Sequence, residues 1–245
     1  MKENKTIYIA SDFHLKFVET PDDKERRKRV LAFLDSIKED ADVLILNGDI
    51  FDLWYVWKKV IIKGYFDVYK KLADIKEAGC RIIFISGNHD FLFRDFLTES
   101  LGIEVHQTFF NEVINDTKIY VTHGDQLTRN DIRYRFYNSL MRSNLVMKFF
   151  ELMHPDLALK LGIMMSRTSR NRKKNTPKYV AMGKEMDNKA HKLLKENDIV
   201  ALAHSHVPKK EITKDGIYLN SGGWLFGGSY IKIQEDKVEV VEFKM

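Results

Sequence analysis

Short apolar runs, each too brief for a helix, alternate through the first third of the chain with longer amphipathic segments. This rhythm constrains the fold more than any other feature. Ile7–Ala10, Val43–Asn47 and residues 81–86 read as buried strands. Between them, residues 22–40 place Val30, Leu31, Leu34 and Ile37 at helical spacing, and roughly 60–78 reads as a second helix ending before Gly79. A β–α–β–α–β order demands parallel strands joined by crossover helices. Further on, residues 112–114 and 118–121 flank the polar turn Asn115-Asp116, a hairpin signature. Residues 199–203 read as another buried strand. Residues 216–219, Ser229–Gln234 and 237–243 alternate like antiparallel strands, the last two around Glu235-Asp236. An α/β fold follows, and 245 residues suffice for one domain with a sizeable core.

Residues 129–187 break the rhythm. They hold no strand-like alternation, only helical apolar runs such as 145–153 and 157–165. A stretch of this kind predicts a helical insertion over a site within one domain, not a second domain. Charge marks it too. From 129 to 178 there are 12 Lys or Arg against 3 Asp or Glu, a net of +9 within a chain whose total is +5. The rest of the chain is therefore acidic, and an anionic ligand or surface is expected near the insertion. A solvated helix face is the plainer reading of such a run, but here the charges are interleaved with large apolar residues.

Five polar motifs each follow a predicted strand: Asp12-Phe13-His14, Gly48-Asp49-Ile50-Phe51-Asp52, Gly87-Asn88-His89-Asp90, His123-Gly124-Asp125 and His204-Ser205-His206. Ligands of open α/β sheets bind beyond the carboxyl ends of the strands, so these motifs should converge there. Carboxylate, amide oxygen and imidazole together suit Mn²⁺, Fe²⁺ or Zn²⁺. One aspartate can bridge two ions about 3.5–4 Å apart. In an extended triplet, residues i and i+2 point the same way, so both members of D-x-H or H-x-H can face the ions. No thiolate enters any motif, which argues against a structural zinc site. Any single motif is common by chance. Five of the eight histidines in these motifs, each after a strand, is not a chance pattern.

The ordered set D-x-H, G-D-x-x-D, G-N-H-D, H-G-D, H-S-H resembles the calcineurin-like metallophosphoesterase superfamily, over residues 7–223. That resemblance implies a four-layer αββα sandwich. It also implies one metal held by Asp12, His14, Asp49 and His206, and a second held by Asp49, Asn88, His123 and His204, with Asp49 bridging. Two divalent ions, Mn²⁺ foremost with Fe²⁺ or Zn²⁺ as alternatives, would clamp phosphate oxygens and acidify a water. His89 would donate a proton or a charged hydrogen bond. Asp90 would orient His89, and Asp52 would hold a ligand from outside. For Asp52 and Asp90, turn or helix-capping carboxylates serve equally well as a reading.

Within the superfamily the chain is most similar to the UDP-2,3-diacylglucosamine diphosphatases of lipid A synthesis. The likeness lies in residues 48–54, in Asp90-Phe91-Leu92, in residues 123–127 followed by Asp131, in the basic insertion, and in Gly223-Trp224 then Gly228-Ser229. It implies a lipid-linked nucleotide diphosphate substrate, with the insertion as a lid. Besides Asn88 and His89, the expected substrate contacts are Asp131, Arg167, Ser169, Arg170, Lys173, Lys174 and Asn175. Two features depart from that branch: His89 stands where it typically has arginine, and Ala203 and Ser205 stand where glycine and threonine are common.

A nuclease or nucleotide phosphodiesterase is the competing enzyme, its basic stretch following a phosphate backbone. Regularly spaced stacking aromatics are not evident, which counts against nucleic acid. A non-catalytic membrane-surface protein would need broken ligands, and all seven are intact. No protein partner is expected. The single Cys80 rules out an internal disulfide, the polar start lacks a signal peptide's apolar core, and no run reaches the roughly 18 apolar residues of a spanning helix. These point to the cytoplasm, with the apolar and basic insertion on an anionic membrane surface.

Overall fold

The computed structural model describes residues 4–92, 95–127, 143–170, 176–225 and 227–245. The elements begin with β1 (Ile7–Ala10), α1 (Pro21–Ile37), β2 (Val43–Asn47), β3 (Trp54–Tyr55), α2 (Phe66–Glu77), β4 (Arg81–Ile85), β5 (Asp90–Leu92) and β6 (Glu104–His106). The hairpin β7 (Phe109–Ile114) and β8 (Thr117–Thr122) follows, then α3 (Asn144–Leu152), α4 (Pro155–Arg170) and α5 (Thr176–Leu193). The chain closes with β9 (Ile199–Leu202), β10 (Lys209–Thr213), β11 (Gly216–Asn220), β12 (Ser229–Gln234) and β13 (Lys237–Glu242).

Two sheets carry the frame. One has the order β13-β12-β1-β2-β4-β6 and the other β10-β11-β9-β8-β7. The inner strands are parallel, as in Ile7 opposite Val43 and Val43 opposite Arg81. Antiparallel strands close one end of the first sheet and both ends of the second, while β6 closes the first sheet's other end in parallel. Period-two alternation assigns each strand two faces. Ile7, Ile9, Val43, Ile45, Ile83 and Ile85 point to the second sheet and meet Phe110, Ile119, Val121, Ile199, Ala201 and Leu219. Tyr8, Ala10, Leu44, Leu46, Ile82 and Phe84 point the other way, into a core shared with Val30, Phe33 and Leu34 of α1 and Val68 and Leu72 of α2. Val200, Leu202 and Tyr218 pack with Met186, Ala190 and Leu194 on the far side of the second sheet. The layers run α/β/β/α, the sandwich that the motifs imply.

Several boundaries differ from the sequence reading. The first helix starts at Pro21, because Thr20 and Asp23 form a capping box, each side chain bonding the other's backbone N–H. The second starts at Phe66, after a short 3₁₀ turn at Lys63–Tyr65, so residues 60–62 are not helical. Gly64 lies against the loop of the first motif: a Cβ there would come within 2.5 Å of Phe17 Cβ. The strand β10 escaped notice because Lys-Lys-Glu-Ile-Thr carries no apolar period. The helix α5 outruns the expected insertion boundary at 187 and becomes the outer layer of the second sheet.

The helices α3 and α4 sit against the segment that follows Asp52. Trp57 Nε1 donates to Phe150 O at 3.2 Å, and Lys58 pairs with Glu151 at 3.5 Å. Gly162 lies so close to Leu53 that a Cβ would meet its Cδ2 at 2.4 Å. No helix among the described residues is long and apolar enough to cross a membrane.

Candidate metal centre

Each of the five motifs begins within two residues of a strand end: β1, β2, β4, β8 and β9. The first two leave the sheet as a bonded pair. Asp12 N donates to Gly48 O at 3.0 Å, His14 N to Asp49 O at 2.9 Å and Leu15 N to Ile50 O at 3.0 Å. The backbone then turns left-handed at the ligand positions themselves, with φ of 53° at Asp12, 45° at His14, 52° at Asp49, 60° at His204 and 57° at His206. The triplets are therefore not extended, and the argument that residues i and i+2 point alike from a flat strand does not hold. A non-glycine residue in this region costs about 1–3 kcal/mol, which persists where surrounding structure fixes it and clusters at functional sites. Beyond these five, the described non-glycine residues with positive φ sit in hairpin turns: Asn115, Asp116 and Glu235.

The turns bring the predicted ligands together. Asp12, His14 and His206 offer donor atoms within 4.8 Å of one another, and so do Asp49, His123 and His204. His206 Nε2 is 3.1 Å from Asp12 Oδ1, His14 Nε2 is 3.4 Å from His206 Nε2, and His123 Nε2 is 3.4 Å from Asp49 Oδ2. Asp49 Oδ2 also lies 3.8 Å from His14 Nε2, so this carboxylate stands between the two groups. Donors about 2.1 Å from one ion are separated by roughly 3.0–3.4 Å along an octahedral or tetrahedral edge. Asp12 Oδ1, Asn88 Oδ1 and His123 Nε2 are among the described buried side-chain atoms that make no hydrogen bond. Buried polar atoms are almost always satisfied. These residues fit two divalent ions.

Electrostatics agree. Burial alone pushes the Asp12 carboxyl up, but His206 and His14 outweigh it and hold it well below the usual carboxylate range. Asp49 is lowered against burial by His123 and His89. Burial pushes His14 down to about 4 and His204 down to about 3, so both imidazoles are neutral, the form that binds metal. His123 goes the other way, raised despite burial by the facing Asp49, which marks a position where positive charge is favoured.

Supporting groups set the ligands. His123 Nδ1 is 2.8 Å from Asn47 O, which fixes the tautomer with Nε2 toward Asp49. Gly87 allows the close approach of two loops: a Cβ there would sit 2.3 Å from Asp49 Oδ1. Arg26, buried in α1, donates to His14 O at 2.9 Å and to Asp23 Oδ1 at 2.7 Å. Sequence reasoning missed Asn47 and Arg26. A polar residue ending the apolar run of β2 was a usable signal for Asn47, whereas nothing in the pattern of α1 singles out Arg26.

The remaining predicted residues divide. His89 joins His14 and Asp49 in a third close group, its N–H donates to Asp49 Oδ1 at 2.9 Å, and its Nδ1 is 3.0 Å from Asp52 O. Asp52 thus reaches His89 through its main chain. Asp90 does not orient His89: its Oδ2 accepts from Gly87 N at 2.9 Å and Asp49 N at 3.0 Å, pinning two loops. Burial and the Asp49 carboxylate push Asp90 up to about 7. Asp131, Lys173, Lys174 and Asn175 lie outside the described residues, and so do the side chains of Arg167, Ser169 and Arg170.

Known proteins place this arrangement. Residues 5–210 match the family model of the calcineurin-like phosphoesterases. A UDP-2,3-diacylglucosamine hydrolase of Porphyromonas gingivalis is 30% identical over 165 residues, covering 67% of this chain and 63% of that protein. The enzyme of the same name from Proteus mirabilis is 27% identical over 250 residues, covering 97% and 98%. A solved archaeal phosphodiesterase shares the fold, with a TM-score of 0.51 at 15% identity over 97% of this chain and 98% of that one.

Proposed function

The chain belongs to the calcineurin-like phosphoesterase family and is a metal-dependent phosphoesterase, and we propose that its substrate is UDP-2,3-diacylglucosamine, hydrolysed to UMP and 2,3-diacylglucosamine 1-phosphate. The observation that carries this reading is the company the ligand cluster keeps. Helices with exposed Phe149, Leu152, Leu157 and Met164 are docked directly on the segment after Asp52. The names of the relatives support it as well.

Asp12, His14, Asp49 and His206 would hold one ion, and Asp49, Asn88, His123 and His204 the other. Bound there, divalent ions supply Lewis acidity and lower the pKa of water. The chain's own residues do the rest. Asp49 shares its carboxylate between both groups, and Asn47 keeps His123 in the metal-binding tautomer. His89, half-buried at the rim and held by Asp52 O, is placed to donate to the developing charge as the pyrophosphate bond breaks. The insertion grips the nucleotide diphosphate with its basic residues and covers the acyl chains with its apolar ones, an adaptable wall. The native metal is taken as Mn²⁺, with Fe²⁺ or Zn²⁺ compatible with the same donors. Peripheral attachment to an anionic membrane at the cytoplasmic face is the proposed setting, supported by the exposed apolar side chains of α3 and α4 and the basic charge of the insertion's sequence.

The test is an Mn²⁺-supplemented assay on UDP-2,3-diacylglucosamine beside a plain aryl phosphodiester. Release of UMP well above turnover of the aryl ester is expected. Turnover of the aryl ester alone would reject the lipid substrate and favour a nucleotide or nucleic-acid phosphodiesterase. Flotation with vesicles should depend on anionic lipid, and absence of binding to any vesicle would reject the membrane surface.

A further inference from the structure

Two serines that act in no step above converge on Asp12. Ser11 directly follows β1, and Ser221 directly follows β11 in the other sheet. Both are fully buried. Ser11 Oγ donates to Asp12 Oδ2 at 2.7 Å and lies 2.6 Å from Ser221 Oγ. A hydroxyl carries one proton, and an ionised carboxylate can only accept. Ser11 therefore gives its proton to Asp12, and the proton between the serines comes from Ser221. The alternative acceptors are longer and uncharged: Gly222 O at 3.3 Å from Ser11 Oγ, and Leu202 O at 3.5 Å from Ser221 Oγ. His204 N also donates to Asp12 Oδ2, at 3.2 Å. That oxygen is engaged from two sides, while Oδ1 makes no hydrogen bond and faces His206 and His14.

We propose that Ser11 and Ser221 are positioning residues of the metal centre. The relay from Ser221 through Ser11 to Asp12 Oδ2 fixes the carboxylate so that Oδ1 faces His14 and His206, with which it would hold an ion. Because Ser221 hangs from the second sheet, the relay also ties Asp12 to the frame that carries His204 and His206. Each link polarises the next, so the outer serine acts only through the inner one. The inference rests on the two-ion reading of the site.

Titration calorimetry with Mn²⁺ on the full chain tests it. The wild type should bind two equivalents. Ser11→Ala should weaken one equivalent by about 10- to 100-fold, the usual effect of losing a hydrogen-bonded partner of a ligand, and leave the other unchanged. Ser221→Ala should weaken the same equivalent less, and the double variant should be no weaker than Ser11→Ala. Ser229→Ala, which removes a 2.6 Å bond to Ser221 O but no link of the relay, should keep both equivalents. At Mn²⁺ concentrations that saturate the wild type, the electron paramagnetic resonance spectrum of Ser11→Ala should change from a coupled pair to an isolated ion. Unaltered affinities in both single variants, equal weakening of both equivalents, or full additivity in the double variant would overturn the relay while leaving the two-ion site standing. A wild type that binds fewer than two Mn²⁺ would overturn both.

Discussion

The strand-end cluster and the α3–α4 pair depart from the usual rule of burial in opposite directions. At the strand ends, carboxylates and imidazoles are buried: Asp12 and His123 are 0% exposed and Asp49 is 2%. On the two helices large apolar side chains stand in solvent, with Leu152 88% exposed and Met164 63%. Buried charge and exposed apolar surface are the two informative exceptions to inside-out packing. The first is sustained by opposed charges, left-handed turns and paired loops. The second is not covered by the described chain and suits an apolar ligand. The proposed function thus lodges reaction chemistry and substrate choice in different parts of the molecule, which meet where Gly162 packs against Leu53.

That division can be broken from either side. The largest effect should come from Asp49→Ala, which removes the carboxylate standing between both groups. Turnover of every phosphoester should fall by about 10³-fold or more, the several kcal/mol that metal ions contribute, while the α3–α4 surface and any vesicle binding persist. Loss of vesicle binding together with retained hydrolysis would dissolve the distinction. Next, His89→Ala should lower kcat by about 10²-fold on the lipid substrate, with calorimetry still reading two Mn²⁺. A lost equivalent would instead make His89 a ligand, as its grouping with His14 and Asp49 permits.

From the other side, Leu152→Asp should raise KM for the lipid substrate about tenfold, the scale of one buried leucine side chain, and leave the aryl ester untouched. Equal loss on both substrates would place Leu152 in the stability of the frame. The smallest expected change in activity belongs to Asp23→Asn, which touches the site only indirectly, through Arg26 and its bond to His14 O. Burial opposes ionisation of Asp23, but Lys16, Thr20 and Arg26 outweigh it and hold the carboxyl well below its usual range. A folded-state value below the unfolded one stabilises fully above the unfolded pKa near 4 and fades as pH falls toward the folded value. The variant should therefore be on the order of 2 kcal/mol less stable than wild type at pH 7 in urea unfolding. The gap should narrow below about pH 4.

The same contrast explains what the sequence made legible. In the frame, apolar runs end where the polar motifs begin, so strands and candidate ligands announce one another: Val43–Asn47 leads to Asp49, and Ile199–Leu202 to His204. The antiparallel hairpin was legible in Asn115 and Asp116, which both take positive φ. The turns at Asp12, His14 and His206 were not, because tertiary bonds such as Asp12 N to Gly48 O impose them. Arg26 and Ser221 were hidden for the same reason: tertiary bonds, to His14 O and to Ser11 Oγ, bring them to the site. In the insertion, the helical runs of α3 and α4 were plain from their apolar spacing. The helix α5, which runs on from the expected insertion to Leu193, was not legible, since its charged residues masked the buried Met186, Ala190 and Leu194.

The central claim, that Asp49 stands between two ions held by the other six residues, is tested most directly by anomalous diffraction from crystals grown with Mn²⁺. Two peaks are predicted, one enclosed by Asp12, His14 and His206, the other by Asn88, His123 and His204, with the Asp49 carboxylate between them. A single peak, or peaks away from Asp49, would contradict the account.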